Sequence, residues 1–166
     1  MAIKKESCYW ELGKVDGGIG EYINMERIND RSQWFEYLGF DVQLINQDAI
    51  KKIDIIKQVD KITSIDRIVL LSMPEHTTYN WHVDDHRKAT INLLINNHKE
   101  SFCLFGESID ESKHSTIKLE YKKDTFYLFN TKKEHMVVNF GERRYILSMQ
   151  FNSKLSYEEI KSELIK

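Results

Sequence analysis

The sequence predicts a mainly β protein: a jelly-roll barrel flanked by N-terminal helices and followed by one short C-terminal helix. Two observations lead to this prediction. Beyond Ile65, nearly every apolar segment is short or alternates with polar residues, as the strands of a sheet do. Residues 1–66 instead mix helical segments with a few strands. A chain of 166 residues with one proline and no internal repeat fits a single domain.

Two helices are predicted within residues 1–66, and we expect this region to pack on the barrel. The first covers residues 30–38, with Asp30 as a polar N-cap and Gly39 beyond its end. The second begins at Asp48, where β-branched apolar residues recur every three positions along one helical face. That stripe consists of Ile50, Ile53, Ile56 and Val59.

The barrel itself is predicted within residues 67–151. Eight runs have the length and pattern of strands: 67–73, 78–84, 88–95, 101–105, 116–121, 125–129, 134–139 and 143–151. Eight antiparallel strands are the number that a jelly roll requires. A capping box, Ser156-Tyr157-Glu158-Glu159, then predicts a helix over residues 156–165.

The composition excludes several classes of protein. Lys and Arg (24) nearly balance Asp and Glu (26), so the chain lacks the basic footprint of a nucleic-acid partner. No apolar run approaches the roughly 20 residues of a membrane span, and charges near the N-terminus take the place of an export signal's apolar stretch. We therefore expect a cytoplasmic protein with no membrane partner. Cys8 and Cys103 are too few for a disulfide framework or a zinc ribbon, and buried free thiols are expected.

Three residues could form a metal site. His82 and Asp84 lie two apart in a predicted strand, so both side chains point to the same face. Taken alone, these two residues could equally well be an exposed pair without a metal. His135 lies in a later strand, however, and the strands between could fold so that His135 returns beside the pair. Two histidines and one carboxylate on one face of an octahedron are the ligand set of non-haem Fe(II) oxygenases, and they leave three positions open for a 2-oxo acid and dioxygen.

A 2-oxo acid bound in this way needs a fixed cation for its distal carboxylate, and a guanidinium suits that role best. If residues 134–139 and 143–151 form a hairpin with a two-residue loop, His135 opposes Ile146 and Arg144 faces the metal; a three-residue loop would turn Arg143 inward instead. Alternation favours Arg144. One face of its strand is apolar and suited to packing under helices (Tyr145, Leu147, Met149, Phe151), and the other has mixed polarity (Arg144, Ile146, Ser148, Gln150).

These motifs resemble the double-stranded β-helix Fe(II)/2-oxoglutarate dioxygenases, and among them most of all the aspartyl/asparaginyl β-hydroxylase branch. The segments that carry the resemblance are Trp81-His82-Val83-Asp84, Asn92-Leu93-Leu94-Ile95, residues 124–130, Glu134-His135-Met136-Val137-Val138-Asn139 and Arg144-Tyr145-Ile146-Leu147-Ser148. The resemblance implies that His82, Asp84 and His135 bind Fe(II), that Arg144 binds 2-oxoglutarate, and that Asn92 is a further partner of this co-substrate. Members of that branch typically lack the carboxylate, so Asp84 points to the wider superfamily.

The activity implied by this resemblance is hydroxylation of an unactivated C–H in an amino acid, peptide or small molecule, with release of succinate and CO2. Two other classes of function remain open. His135 and Asn139 resemble the second signature of a cupin-like metal-binding isomerase, although the first signature would need His-x-His followed by Glu. A non-catalytic binding domain without metal is the other class. The sequence predicts neither the acceptor nor the oligomeric state.

Five further polar or aromatic positions lie close to the predicted ligands. Tyr79 and Trp81 could line a substrate entrance, and packing within their strand is the favoured interpretation. Asp85, His86 and Arg87 could position substrate or support the ligands, and a solvated loop is the favoured interpretation.

Overall fold

The protein is described by a computed structural model covering residues 2–37, 39–152 and 154–166. Within these residues eleven strands form two antiparallel sheets: β1 Tyr9–Lys14, β2 Phe35–Tyr37, β3 Phe40–Leu44, β4 Ile65–Met73, β5 Thr77–His82, β6 Ala89–Leu94, β7 Ser101–Asp110, β8 Lys113–Glu120, β9 Thr125–Asn130, β10 Glu134–Asn139 and β11 Arg144–Phe151. The α-helices are α1 Met25–Asn29, α2 Gln47–Ile50, α3 Asp54–Ile62 and α4 Tyr157–Ile165. Short 3-10 turns cover Lys5–Ser7, Ile19–Glu21 and Arg31–Gln33.

The order of the strands defines a jelly roll. The larger sheet runs β1-β9-β6-β11-β4-β3-β2 and the smaller one β5-β10-β7-β8. From β4 onward the chain alternates between the two sheets, except at the β7–β8 hairpin. This connectivity is that of the double-stranded β-helix, so the predicted fold class is confirmed. All eight predicted barrel strands are present, while β1, β2 and β3 widen the larger sheet at its two ends.

Two apolar clusters stabilise this arrangement. The first packs helices on the outer face of the larger sheet, joining the predicted stripe of α3 to Leu147 and Met149 of β11 and to Tyr157 of α4. The second lies between the sheets and includes Phe105 and Phe129. Both cysteines are buried free thiols, as predicted. Across the described residues, no helix combines the length and apolarity needed to cross a bilayer.

The first predicted helix is wrong. Asp30 does cap a helical turn, by accepting a hydrogen bond from the backbone N–H of Ser32, but that turn ends at Gln33. The chain then forms strand β2, which pairs with β3, and Gly39 adopts its left-handed conformation (φ 81°) in the turn between these two strands. Pairing with β3 outweighs the local helical signal here. Leu38, the last residue of the predicted helix, lies outside the described residues.

The helix expected from Asp48 is present in two pieces. Ile53 is extended (φ −66°, ψ 129°) and separates α2 from α3, yet Ile50, Ile53, Ile56 and Val59 are all buried as the stripe predicts. The C-terminal helix α4 is confirmed together with its capping box, in which Ser156 and Glu159 bond to each other's backbone N–H groups.

The hairpin used to place Arg144 does not exist. Strand β10 pairs with β5 and β7 in the smaller sheet, whereas β11 pairs with β4 and β6 in the larger one. The chain crosses between the sheets after Asn139, because a jelly roll places successive strands on opposite walls. The predicted pairing of His135 with Ile146 is therefore wrong, although the alternation along β11 is correct: Leu147 and Met149 pack under the helices, and Ile146, Ser148 and Gln150 face the lumen.

Candidate metal centre

Three potential ligands meet at one end of the smaller sheet. His82 is the last residue of β5, and His135 lies directly opposite it on the neighbouring strand β10. The sequence predicted that Asp84 lies within the same strand. In the structure Asp84 instead lies in the loop that follows β5. One donor atom from each side chain lies within 4.8 Å of the other two, and Nε2 of His82 is 3.6 Å from Oδ1 of Asp84. The structure thus brings the three side chains together, and their role as metal ligands stays a prediction.

Both imidazoles are oriented by the same kind of hydrogen bond. Nδ1 of His82 is 2.7 Å from the carbonyl oxygen of Asn80, and Nδ1 of His135 is 2.8 Å from that of Lys133. A carbonyl only accepts, so each Nδ1 carries the hydrogen and each Nε2 keeps a lone pair for a metal. Burial lowers the pKa of His135 below its ordinary value, which favours the neutral imidazole that a metal requires.

Three residues fix the loop that carries Asp84: Arg87, Thr131 and Lys132. Nε of Arg87 donates to Oδ2 of Asp84 and leaves Oδ1 facing His82. The backbone N–H of Asp84 donates to the carbonyl of Thr131 (3.0 Å), and Nζ of Lys132 donates to the carbonyl of Asp84 (2.6 Å). The expectation of a solvated loop is therefore wrong for Arg87, whereas Asp85 and His86 are exposed.

The donor set fits a divalent metal. Cis ligands about 2.1 Å from a first-row metal lie about 3 Å apart, so the 3.6 Å between His82 and Asp84 needs only a small closure. Two neutral imidazoles and one carboxylate suit iron, and they occupy one side of the ion only. The remaining coordination positions would face the lumen of the barrel.

Arg144 lies in that lumen and is only 4% exposed. Its Nη2 donates to the hydroxyl oxygen of Tyr121 (3.2 Å), and its guanidinium carbon lies 5.6 Å from the centre of that ring. Its Nε has no hydrogen-bond partner among the described residues, and no carboxylate of those residues pairs with it. A buried cation left in this state is destabilising unless an anion joins it. Tyr121 was not identified from the sequence.

Arg143, the other candidate, points the opposite way. Its Nη1 donates to Oδ2 of Asp41 (3.0 Å) and to Oγ of Ser72 (3.1 Å). Arg31 donates to the same carboxylate oxygen of Asp41, so this cluster is an ion-pair network on the outer face of the larger sheet. Of the two adjacent arginines, Arg144 is thus the one that faces the proposed ligands.

A cavity of about 410 Å³ connects these groups. All five site residues predicted from the sequence line it: His82, Asp84, Asn92, His135 and Arg144. Asn92 lies on β6 opposite Ser148 of β11, which also lines the cavity. The two sheets contribute different parts, because the potential metal ligands belong to the smaller sheet and its following loop, while Asn92 and Arg144 belong to the larger sheet.

The two aromatic residues of β5 have different surroundings. Trp81 lies 5.4 Å from the ring of His114 and does not line the cavity. Tyr79 does line it, with its ring 4.4 Å from that of His82. Trp81 is exposed and belongs to neither core cluster, so the packing interpretation holds only for its contact with His114, and it omits the position of Tyr79 beside the proposed metal.

Comparison with known proteins supports the fold. No protein-family model matches the chain, and neither does any curated protein. Among solved structures, AviO1 from Streptomyces viridochromogenes is similar over 90% of this chain and 91% of its own, with 10% identity and a TM-score of 0.56. A Trichoplax adhaerens prolyl hydroxylase in complex with a hypoxia-inducible-factor peptide fragment is similar over 82% and 77%, with 16% identity and a TM-score of 0.54. An oxidoreductase of the 2OG-Fe(II) oxygenase family from Burkholderia pseudomallei is similar over 77% of this chain and 78% of its own, with 10% identity and a TM-score of 0.51.

At these identities the similarity shows a common fold, and the specific likeness to aspartyl/asparaginyl β-hydroxylases stays a prediction. The chain shares its double-stranded β-helix with a prolyl hydroxylase and with a 2OG-Fe(II) oxygenase family protein.

Proposed function

We propose that this chain is a non-haem Fe(II)- and 2-oxoglutarate-dependent dioxygenase that hydroxylates an unactivated C–H of an amino acid, a peptide or a small molecule. One observation carries the proposal. Two imidazoles and a carboxylate converge within 4.8 Å on the wall of a cavity that also holds the buried, uncompensated guanidinium of Arg144. The first group of residues suits a divalent metal, and Arg144 suits the distal carboxylate of a dicarboxylic 2-oxo acid.

The overall reaction balances without any other reductant. One oxygen atom of dioxygen enters the hydroxylated product and the other enters succinate, while CO2 leaves. Two of the four electrons that dioxygen accepts come from the 2-oxo acid and two from the C–H bond. When Fe(II) and 2-oxoglutarate are bound, the metal would activate dioxygen for this oxidation.

The residues of the chain provide geometry and charge. His82, Asp84 and His135 would hold the metal, and Arg87 donates to the second carboxylate oxygen of Asp84. Because Nδ1 of each histidine already donates to a backbone carbonyl, the two rings cannot turn without losing a hydrogen bond. Both imidazoles are thus oriented before any metal binds.

Arg144 binds the distal carboxylate of 2-oxoglutarate, and Tyr121 supports it. A guanidinium can form two parallel hydrogen bonds with a carboxylate, and Arg144 itself is only 4% exposed. Burial raises the pKa of Tyr121, so its hydroxyl stays protonated and available as a donor. The amide of Asn92 is proposed as a further partner of the co-substrate from the same sheet.

Anaerobic titration with Fe(II) and 2-oxoglutarate tests the proposal. Chelation of the iron by the 2-oxo acid should produce a weak visible absorption band, and dioxygen should then yield succinate. A cupin-like isomerase should bind metal without that band, and a non-catalytic binding domain should bind neither. We expect a small-molecule or peptide acceptor, and the near-neutral charge gives no reason to propose nucleic acid as a partner.

A further inference from the structure

The N-terminal hairpin of β2 and β3 forms one wall of the cavity. Strand β3 pairs with β4 and extends the larger sheet past the barrel. Asp41 points to the outer face, where Arg31 and Arg143 hold its carboxylate. Its neighbours Phe40 and Val42 therefore point to the opposite face and line the cavity. The ion-pair network on one side of the hairpin thus fixes which side chains face the lumen.

Aromatic rings continue from this hairpin to the proposed metal site. The ring of Phe40 lies 5.2 Å from that of Tyr79, and the ring of Tyr79 lies 4.4 Å from that of His82. Tyr37, opposite Phe40 in the hairpin, also lines the cavity. Tyr37 and Tyr79 remain 51% and 43% exposed, which is unusual for aromatic residues grouped on a cavity wall. Such a surface is typical of a site that an apolar ligand covers.

The charges of the cavity select against a cation. Among the described residues that line it, Asp84 is the one carboxylate, and Arg87 already pairs with it. Arg67 and Arg144 also line the cavity, and no described carboxylate pairs with either of them. A positively charged ligand would therefore lose its hydration without gaining a free counter-charge.

We propose that Tyr37, Phe40 and Tyr79 form the acceptor subsite, which binds an uncharged aromatic or branched-aliphatic group beside His82 and excludes cationic groups. This inference rests on the proposed function, because the group bound there is taken to be the one that is oxidised. It assigns a role in specificity to the hairpin, which lies outside the eight strands of the barrel.

Benzyl alcohol and benzylamine provide a test, since they have nearly the same size and benzylamine is a cation at neutral pH. Ligand-observed NMR titrations of the full chain in a chelating buffer should show binding of benzyl alcohol and at least tenfold weaker binding of benzylamine. Phe40→Ala and the exposed-site variant Tyr37→Ser should each weaken benzyl alcohol binding threefold to tenfold, the range expected for one lost aromatic contact. Trp81→Ala is the matched control, because Trp81 lies on the same strand as Tyr79 but does not line the cavity.

Equal affinity for the two probes, or equal affinity of the Phe40→Ala, Tyr37→Ser and unmodified proteins for benzyl alcohol, would overturn the inference. This experiment needs neither metal nor 2-oxoglutarate, so its outcome is separate from that of the anaerobic titration. Selective binding of benzyl alcohol without a 2-oxoglutarate band would keep the apolar subsite and reject the oxygenase. A 2-oxoglutarate band without selective binding of benzyl alcohol would support the oxygenase and reject the apolar subsite.

Discussion

Replacing Arg144 with Lys should weaken 2-oxoglutarate binding strongly without removing the positive charge. The side chain is 4% exposed, its Nε is unpartnered among the described residues, and its Nη2 bonds only to the hydroxyl of Tyr121, so its fork is free to take a carboxylate. Lysine keeps the charge but loses the second parallel hydrogen bond. One charge-assisted hydrogen bond contributes about 1.5–3 kcal/mol, which corresponds to a loss in affinity of roughly tenfold to 150-fold.

The adjacent arginine provides the control. Arg143 lies on the outer face, where Asp41 pairs with it, so Arg143→Lys should change 2-oxoglutarate affinity by less than about twofold. The assay is anaerobic titration of the Fe(II)-loaded variants with 2-oxoglutarate, followed by the visible band, with thermal unfolding of each variant measured in parallel. Equal losses in the two variants, or a loss in Arg143→Lys alone, would refute the assignment of Arg144.

Four further outcomes are expected. Asp84→Ala should lose Fe(II) binding in equilibrium dialysis while its unfolding midpoint stays within a few degrees, because Asp84 lies in a loop and not in either core cluster; a collapse of stability would indicate a structural role. Arg144→Met should abolish 2-oxoglutarate binding yet leave the metal-free protein at least as stable, since a buried unpaired charge is removed; marked destabilisation in urea would contradict this. Burial raises the pKa of Cys8 and raises that of Cys103 to about 12, so native protein should resist iodoacetamide at mildly alkaline pH and react at both thiols once unfolded, as read by mass spectrometry. Because burial lowers the pKa of His135, the unfolded chain takes up that proton first, so stability against urea should be fully present above about pH 6.5 and decline below it; a rise in stability on acidification would contradict the direction.

The sequence predicted the barrel well because alternation is a local property. Each of the eight strands carries a local signal, either a short apolar run or alternation, and alternation placed Arg144, Ile146 and Ser148 on the lumen side of β11. The pairing partner of a strand is not local. The assumed hairpin between β10 and β11 was wrong for that reason, although it selected the arginine that faces the lumen.

The parts that the sequence did not predict depend on long-range contacts. Strand β2 replaced a predicted helix because β3 was available to pair with it. Tyr121 became part of the site through the packing between the sheets, and no spacing relative to His82 or His135 could have identified it. Arg87 was an open alternative from the sequence, and the hydrogen bond that Thr131 donates to its carbonyl shows why it belongs to the site.

The division of the site between two sheets has a mechanical consequence. A molecule bound between the proposed metal ligands and Arg144 would contact both sheets of the barrel, so its affinity would depend on the distance between the two sheets. The apolar cluster that contains Phe105 and Phe129 lies between the sheets and sets that distance, although most of its side chains do not line the cavity. Substitutions that enlarge or shrink a side chain of this cluster should thus change the affinity for 2-oxoglutarate. Backbone hydrogen exchange should slow in both sheets together when 2-oxoglutarate is bound.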